Sequence, residues 1–386
     1  MTSATAKIRL GMVGGGQGAF IGNVHRIAAR LDDRYKLVAG ALSSDPTRAL
    51  ESALQLGIAE DRSYTDFVVM AATEAAREDG IEVATIVTPN HLHFAPAKAL
   101  LEAGIHVICD KPLTSSLADA ETLQTLARDT GLVFAVTYNY SGYPMVRQAR
   151  EMVASGKLGE VRLVQVEYPQ DWLVTNLETN GHKQALWRTD PAQAGDGGSL
   201  SDIGTHAFHL AEFVSGKEVT SLLADLSSFV DGRTLDDNAQ ILLRFANGAR
   251  GSLWASQVAC GHENGLRIRV YGDQAGLEWF QEEPNKLIFM PFGKSKQVIT
   301  RGGPDVGHSA SAASRIPAGH PEGFLEGFAN LYRDLADQII ARRQGRDDSA
   351  PSLVPTITDG VRGMKFIDRS VASSRAGGVW QSLVST

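Results

Sequence analysis

The first 140 residues alternate short, β-branched apolar runs with segments of helical periodicity, and this alternation restricts the fold more than any other feature of the sequence. Strands separated by helical crossovers pair in parallel and place helices on both faces of the sheet. We therefore predict an α/β domain with a doubly wound parallel sheet. Its strands are Ile8–Val13, Tyr35–Leu42, Val83–Val87, Ile105–Cys109 and Val133–Thr137, and its helices are Gly22–Leu31, Asp45–Leu56, Phe94–Ala103 and Leu117–Asp129.

After about residue 140, the pattern changes to longer segments in which apolar and polar residues alternate. From Val161 onward, a period of two and short turns such as Asn247–Gly248 are typical of antiparallel strands. We predict an α+β domain with a large open, mostly antiparallel sheet, a long loop at Arg301–His320, and helices at Gly198–Val214, Pro321–Arg343 and Asp359–Ser373. The predicted domains are residues 1–138, residues 139–358, and a C-terminal helix and tail at 359–386 that packs back near the N-terminal domain.

Charge and cysteine content exclude several classes of protein. The formal net charge is −7 and no long basic run occurs, which argues against nucleic acid and anionic membrane surfaces as partners. Cys109 and Cys260 are too few to form a disulfide framework, and no apolar run reaches the length of about eighteen residues that a membrane helix needs. Because Met1–Lys7 lacks the apolar stretch of a signal peptide, we expect a cytoplasmic protein.

A glycine-rich turn follows the first predicted strand. Gly14, Gly16 and Ala19 fit the pattern G-x-G-x-x-A, directly before a predicted helix. Glycine is needed there because a pyrophosphate approaches the backbone closely at a helix N-terminus, where free N–H groups favour an anion. The sequence therefore predicts a dinucleotide site that includes Gly14, Gly16, Gln17, Gly18, Ala19 and Phe20.

The tip of the second strand indicates which dinucleotide binds. An acidic side chain there would bind the ribose hydroxyls and exclude a 2′-phosphate. The corresponding position is Ser43, followed by Ser44, and Arg48 is a turn further on. Since neither an acid nor an immediate base is present, we predict NAD and leave NADP open. Asp45 is interpreted as an N-cap, with Pro46 at the first helical position.

Three further motifs occur in a characteristic order. They are Thr88-Pro89-Asn90-His91-Leu92-His93, Asp110-Lys111-Pro112, and Gly197-Gly198-Ser199-Leu200-Ser201-Asp202-Ile203-Gly204-Thr205-His206. With the glycine turn, they make essentially the whole chain resemble the Gfo/Idh/MocA oxidoreductases, the glucose-fructose oxidoreductase and inositol dehydrogenase group. This resemblance implies a Rossmann domain, a second domain with an open sheet, and dimers or tetramers formed through that sheet.

The resemblance also implies catalytic roles. His206 would be the general base, Asp202 would orient it and hold a neighbouring hydroxyl, and Lys111 would polarise the reacting oxygen. The Lys111–Pro112 peptide resembles the family's cis bond. Asp202 and His206 are spaced i, i+4 and therefore share one face of a helix, which favours a joint role over a solvated polar face. A histidine suits proton abstraction near neutral pH, and a lysine suits a developing alkoxide.

Other candidates are assigned with alternatives. His209 stands where relatives often have a second acid. The candidate substrate contacts are Tyr168, Asp171 and His320. The alternative is that they are ordinary surface residues or, for His320, part of a disordered loop. The remaining predicted cofactor contacts are Thr88, Pro89, Asn90, His93, Asp110, Lys111, Asn139, Trp187 and Arg188. We also expect Lys111, Arg188, Asp202 and His206 to contact the substrate.

No metal site is predicted, because His93 in His91-x-His93 is better placed to start a helix and Cys109 lies in an apolar strand. The expected activity is NAD-dependent oxidation of a secondary ring hydroxyl in an uncharged polyol or sugar, such as an inositol or a free aldose. Two alternatives remain open: an NAD-retaining, redox-cycling glycosidase or lyase, and a non-catalytic sugar sensor. The latter would have no need of Lys111, Asp202 and His206 together.

Overall fold

The computed structural model describes residues 6–346 and 352–384. Residues 1–5, in which we predict no targeting signal, lie outside the described residues. The described strands are β1 Ile8–Val13, β2 Tyr35–Ala41, β3 Val83–Ile86, β4 His106–Cys109, β5 Phe134–Val136, β6 Val161–Pro169, β7 Val219–Ser227, β8 Asn238–Phe245, β9 Arg250–Ser256, β10 Arg267–Gly272, β11 Ala275–Phe280, β12 Lys286–Pro291, β13 Gln297–Thr300 and β14 Gln381–Ser382.

The described α-helices are α1 Phe20–Leu31, α2 Pro46–Gln55, α3 Phe67–Ala75, α4 Phe94–Glu102, α5 Leu117–Thr130, α6 Pro144–Ala154, α7 Lys183–Arg188, α8 Pro191–Ala194, α9 Thr205–Ser215, α10 His308–Ala313, α11 Phe324–Arg343 and α12 Ile357–Arg375. Of these helices, none is both long and apolar enough to cross a membrane.

The first compact unit contains a five-stranded parallel sheet in the order β2-β1-β3-β4-β5. This order confirms the predicted doubly wound fold. The predicted cap is also present, since the Asp45 side chain accepts a hydrogen bond from Arg48 N and Pro46 begins α2. The sequence reading missed α3, where Val68 and Val69 are exposed, because its apolar residues are not confined to one face.

Helix α11 belongs to this first unit, which comprises the described residues up to Asn139 and Leu325–Val361. The sequence pattern instead predicts this helix within the second domain, residues 139–358. A buried polar cluster explains its placement: the Tyr332 hydroxyl lies 2.9 Å from both His25 Nδ1 and Thr85 Oγ1. The Tyr35 hydroxyl also donates to the Tyr332 carbonyl oxygen at 2.7 Å. These partners lie about 250 to 300 residues earlier in the chain, so no local pattern indicates them.

The second unit contains a nine-stranded sheet in the order β13-β12-β11-β10-β6-β9-β8-β7-β14. Among the described strand pairs of this sheet, only β6–β9 is parallel, which confirms the predicted open, mostly antiparallel sheet. One face is buried, with Val164 and Ile241 as members, whereas the other exposes Leu163 and Leu242. The sheet thus has one covered face and one open, mixed face.

The C-terminal part of α12 differs from the prediction, because Arg362 onward lies in the second unit. Phe366 stacks on Phe208 with ring centroids 4.4 Å apart, and Arg362 Nε donates to Glu212 at 2.8 Å. Strand β14 then pairs with β7. The aromatic contact, the ion pair and the added edge strand hold this end of the chain on the second unit.

Candidate active site

The turn between β1 and α1 has the geometry of a dinucleotide cradle. Gly14 and Gly15 have φ values of 79° and 75°, which favour glycine. A Cβ on Gly16 would lie 2.7 Å from the Leu42 carbonyl oxygen, and one on Gly22 would lie 2.5 Å from Gly15 Cα. The close packing therefore requires residues without side chains, and the exposed backbone of the turn fits a pyrophosphate at the start of α1.

The residues that lead into α1 leave its N-terminus accessible. Ala19 occupies the N-cap position and its methyl group cannot accept a hydrogen bond from the first turn. Gln17 N donates to Ser52 Oγ at 3.2 Å, which fixes the turn against α2. Phe20 is 70% exposed at the start of the helix, and Gly18 has space around its Cα. An anion can therefore approach the helix end.

The residues after β2 carry no charge that would select for a phosphate. Ser43 Oγ accepts a hydrogen bond from Asp45 N at 3.1 Å, and Ser44 is exposed. The Asp45 carboxylate is engaged by Arg48 N at 2.8 Å. Asp45 thus caps α2, as predicted.

The turn after β3 is tied to the turn after β4. Thr88 Oγ1 donates to the Leu92 carbonyl oxygen at 3.0 Å, and Asn90 is buried. His93 is 1% exposed, with its ring nitrogens 2.8 Å from the carbonyl oxygens of Thr88 and Pro112. Because both nitrogens face backbone oxygens, the His93 ring has no nitrogen left for a cofactor or a metal.

Lys111 lies in a fixed turn after β4. Its peptide bond to Pro112 is cis, as the family resemblance implies. The Asp110 carboxylate accepts hydrogen bonds from Lys111 N and Thr137 Oγ1, both at 2.9 Å. At the end of β5, Asn139 is 2% exposed and no described residue accepts a hydrogen bond from its Nδ2. A buried donor of this kind fits a bound cofactor, so the predicted residues of the first unit suit NAD.

In the second unit, the segment with Asp202 and His206 is helical but not uniform. Leu200–Gly204 forms a π-helical turn that continues into α9, whereas we predicted a single α-helix over Gly198–Val214. Such π turns are frequent at functional sites. The Asp236 carboxylate caps the segment, since it accepts hydrogen bonds from Gly198 N, Ser199 Oγ and Leu200 N at 2.7 to 2.8 Å.

The Asp202 carboxylate has two side-chain partners from other elements. Its Oδ2 accepts a hydrogen bond from Gln257 Nε2 at 2.8 Å and lies 3.3 Å from Arg188 Nε. The Arg188 guanidinium stacks over the Trp187 ring at 4.1 Å. The structure therefore brings together Asp202 and the predicted Trp187–Arg188 pair. Gln257 was missed, because no motif marks a residue after a strand end that lies 55 positions from its partner.

His206 is buried against two tyrosines. Its ring centroid lies 5.0 Å from that of Tyr140 and 6.4 Å from that of Tyr168, edge to face. The two tyrosine hydroxyls hydrogen-bond to each other, and Tyr168 also donates to Asn264 Oδ1 at 2.7 Å. Burial raises the pKa of Tyr140 and raises that of Tyr168 further, so both remain protonated. His209 is buried too and stacks on Phe213, which places the predicted polar stripe inside the unit rather than in solvent.

The remaining predicted substrate contacts are spread over the second unit. Tyr168 is 3% exposed, so its hydroxyl acts mainly within the tyrosine network. Asp171 accepts a hydrogen bond from Gly261 N at 3.1 Å. His320 is exposed, at the end of a loop that buried Arg301 anchors through the carbonyl oxygens of Ile316, Pro317 and His320. The loop contains α10 and is folded.

Metal-binding geometry is absent from residues 6–346 and 352–384, where no group of three or more His, Cys, Asp or Glu side chains could hold an ion.

Comparisons with known proteins match both units. The description "Oxidoreductase family, NAD-binding Rossmann fold" matches residues 8–138, and "GFO/IDH/MocA C-terminal domain" matches residues 146–278. The uncharacterized oxidoreductase YfiI of Bacillus subtilis is 37% identical over 97% of this chain and 96% of its own length.

Solved structures are similar over nearly the whole chain. An oxidoreductase from Sinorhizobium meliloti has 55% identity and a TM-score of 0.89, covering 98% of this chain and 100% of its own. An inositol dehydrogenase homolog from Azotobacter vinelandii complexed with NAD⁺ has 41% identity and a TM-score of 0.93, covering 98% of each chain. Its counterpart complexed with NADH and myo-inositol has 40% identity and a TM-score of 0.90, again covering 98% of each.

Proposed function

The chain belongs to the Gfo/Idh/MocA family and is an NAD-dependent oxidoreductase, and we propose that it oxidises a secondary ring hydroxyl of an uncharged cyclic polyol or sugar. The observation that carries the proposal is the buried helical segment in which His206 follows Asp202 by four residues and packs edge-on against Tyr140. This arrangement offers a proton acceptor beside neutral hydroxyl groups, which suits an alcohol substrate.

The proposed chemistry divides between the cofactor and the side chains. A bound NAD would supply the acceptor for the hydride that leaves the substrate carbon. His206 accepts the hydroxyl proton, so that the alcohol becomes a ketone and one proton is released. Lys111 stabilises the negative charge that develops on the oxygen, and Asp202 orients His206 and holds a neighbouring hydroxyl. The Asp110 and Pro112 contacts limit the movement of the lysine backbone.

An uncharged substrate is favoured by the pairing of the nearby cation. Arg188 lies against the Asp202 carboxylate and over the Trp187 ring, so its charge is already balanced. A sugar phosphate would need a cation that is available for its charge. The Azotobacter vinelandii homolog with NADH and myo-inositol supports inositols as the first class to test, with free aldoses second.

A substrate panel with NAD tests this function. The panel contains myo- and scyllo-inositol, D- and L-aldoses, anhydrosugars and one sugar phosphate, with NADH formation followed by absorbance at substrate excess. We expect stoichiometric NADH from an inositol or aldose and none from the sugar phosphate. His206→Ala is the matched variant and should lower the rate by roughly 10².

Adding a glycoside to the panel, with analysis of its products, and measuring sugar binding by calorimetry separate the alternatives. A glycosidase or lyase that retains NAD would cleave glycosides without net NADH, and a sensor would bind a sugar without any turnover. Either result would contradict the proposed dehydrogenase activity.

A further inference from the structure

The imidazole of His93 bridges two turns at the carboxyl edge of the first unit's sheet. Nδ1 lies 2.8 Å from the Pro112 carbonyl oxygen, and Nε2 lies 2.8 Å from the Thr88 carbonyl oxygen. The side chain is 1% exposed, so water does not compete for these contacts. Burial lowers the pKa of His93 and so favours the neutral ring, in which one nitrogen donates a hydrogen bond to its carbonyl oxygen and the other nitrogen packs against the second carbonyl. The ring therefore fills the space between the two turns and bonds to one of them, and the loss of a buried hydrogen bond is costly.

The two bridged turns carry different candidate functions. β3 and β4 are parallel neighbours, with Ile86 opposite Cys109, so the turns that follow them are adjacent. The Thr88 turn contains predicted cofactor contacts, and Pro112 directly follows the candidate catalytic residue Lys111. His93 therefore connects a cofactor-binding turn to the catalytic turn.

The Lys111 turn is held from its other side as well. Asp110 Oδ1 accepts hydrogen bonds from Lys111 N and from Thr137 Oγ1, which follows β5. The His93 contact at Pro112 and the Asp110 contact at Lys111 N therefore hold this turn at two points. A misplacement of about 1 Å in a catalytic group can cost about 10²-fold in rate, so a contact that fixes the turn has catalytic consequences.

Two simpler roles for His93 fit the geometry less well. A metal ligand needs a nitrogen lone pair, yet both ring nitrogens face carbonyl oxygens. A direct cofactor contact, as the sequence suggested, would need a ring nitrogen that faces the ligand. His91, two residues earlier, is exposed on the same turn and cannot share the buried position.

We propose that His93 is a positioning residue that locks the Thr88 turn to the Lys111–Pro112 turn, so that NAD binding and the action of Lys111 depend on one imidazole. The dependence of Lys111 on His93 rests on the proposed function, whereas the dependence of NAD binding on His93 does not. His93 acts through these two backbone carbonyls and does not touch substrate.

The test compares His93→Leu, which removes the hydrogen bond and both polar contacts with the carbonyl oxygens, with His93→Gln, which retains an amide donor. His91→Gln is the control for substitution on the same turn. Calorimetry with NAD alone gives the cofactor Kd, and turnover of the best substrate from the panel gives kcat and its primary deuterium isotope effect. Circular dichroism melting verifies that each variant is folded at the assay temperature.

We expect His93→Leu to raise the NAD Kd about tenfold, the scale of one lost hydrogen bond, and to lower kcat by roughly 10² with a larger isotope effect. The isotope effect rises because the misplaced lysine slows the chemical step. His93→Gln should give intermediate values, and His91→Gln should stay within about twofold of the wild type on both measures.

Several results would overturn the proposal. Wild-type Kd and kcat in a folded His93→Leu variant would do so, and so would a raised Kd with unchanged kcat, which would make His93 act on the cofactor turn alone. If His93→Leu does not fold, His93→Gln decides the matter, since wild-type values in that variant contradict the bridge. Normal turnover of Lys111→Ala would instead refute the proposed function of the lysine and leave the NAD result to be judged separately.

Discussion

Asp202 Oδ2 lies 3.3 Å from Arg188 Nε. The carboxylate of this candidate catalytic residue, in the π-helical turn before α9, is therefore paired with a cation from α7. Arg188 in turn stacks on the Trp187 ring, which restricts its movement. Gln257 completes the arrangement with a hydrogen bond to the same Asp202 oxygen. The orientation of Asp202 thus depends on residues from two other stretches of the chain.

Gln257→Leu should lower kcat/KM for the substrate about tenfold, because Asp202 loses a buried hydrogen bond to its charged group. Gln257 is 2% exposed, so solvent cannot replace the lost donor. Steady-state kinetics measure the effect, and calorimetry should give an unchanged NAD Kd. Gln240→Leu, at an exposed position on β8, is the control. An unchanged kcat/KM in Gln257→Leu would mean that Asp202 needs no support from this side chain.

Lys111→Ala should lower kcat by about 10² or more while the NAD Kd stays within about an order of magnitude, since the lysine acts on the substrate oxygen. Calorimetry and steady-state rates measure the two effects separately. Lys98→Ala, which removes an exposed lysine from α4, is the matched control. Near-normal turnover in Lys111→Ala would refute the assignment.

Ser44→Arg should improve the use of NADP, because it adds a partner for the 2′-phosphate at an exposed position after β2. The ratio of kcat/KM for the two cofactors measures the change, and we expect a shift of about tenfold towards NADP. The wild-type enzyme should prefer NAD. A wild-type preference for NADP would contradict our interpretation of Ser43 and Ser44.

Acid should destabilise the first unit through His25. Burial lowers the pKa of His25 from 6.5 to about 4, an effect that Asp110 partly opposes. Below pH 6.5 the unfolded chain binds a proton that the folded protein excludes, so the free energy of unfolding falls as the pH drops from about 6.5 to about 4. By pH 5 this contribution is about 2 kcal/mol.

Urea unfolding at pH 7.5 and pH 5 measures that loss of stability. His25→Gln should show a smaller difference between the two pH values than the wild type, because its side chain does not titrate. Equal pH dependence in the two proteins would rule out His25 as the cause.

The open face of the second unit's sheet should form an interface between copies of the chain. Leu163 and Leu242 are 49% and 51% exposed there among polar neighbours, and a mixed face of this kind suits a two-fold interface. Light scattering at micromolar concentration should give a dimer or tetramer, and Leu242→Glu should shift it towards smaller species. Leu54→Glu, at an exposed position of α2, is the control. A wild-type monomer would refute the assembly.

His320→Ala tests whether the anchored loop serves a neighbouring subunit's substrate. We expect a raised KM with an unchanged NAD Kd, and an oligomer with wild-type KM would exclude the shared site.

The sequence alone determined the features that depend on neighbours along the chain. The apolar runs and helical segments before residue 140 indicated a parallel sheet, the Gly14–Ala19 turn indicated a dinucleotide, and Asp45–Pro46 marked a helix start. These are local because backbone conformation, capping and periodicity are set within a few residues. The spacing of Asp202 and His206 likewise required only the helical repeat.

Only the tertiary structure decided which distant groups meet. It placed Tyr332 of α11 against His25, Gln257 against Asp202, and both nitrogens of His93 against backbone carbonyls. Each contact joins residues whose side chains carry no pattern of their own, and burial and hydrogen-bond satisfaction select them only after the elements pack. A histidine next to a cofactor motif has the same sequence pattern whether it binds the cofactor or holds the turn in place. The difference lies in where its two nitrogens point.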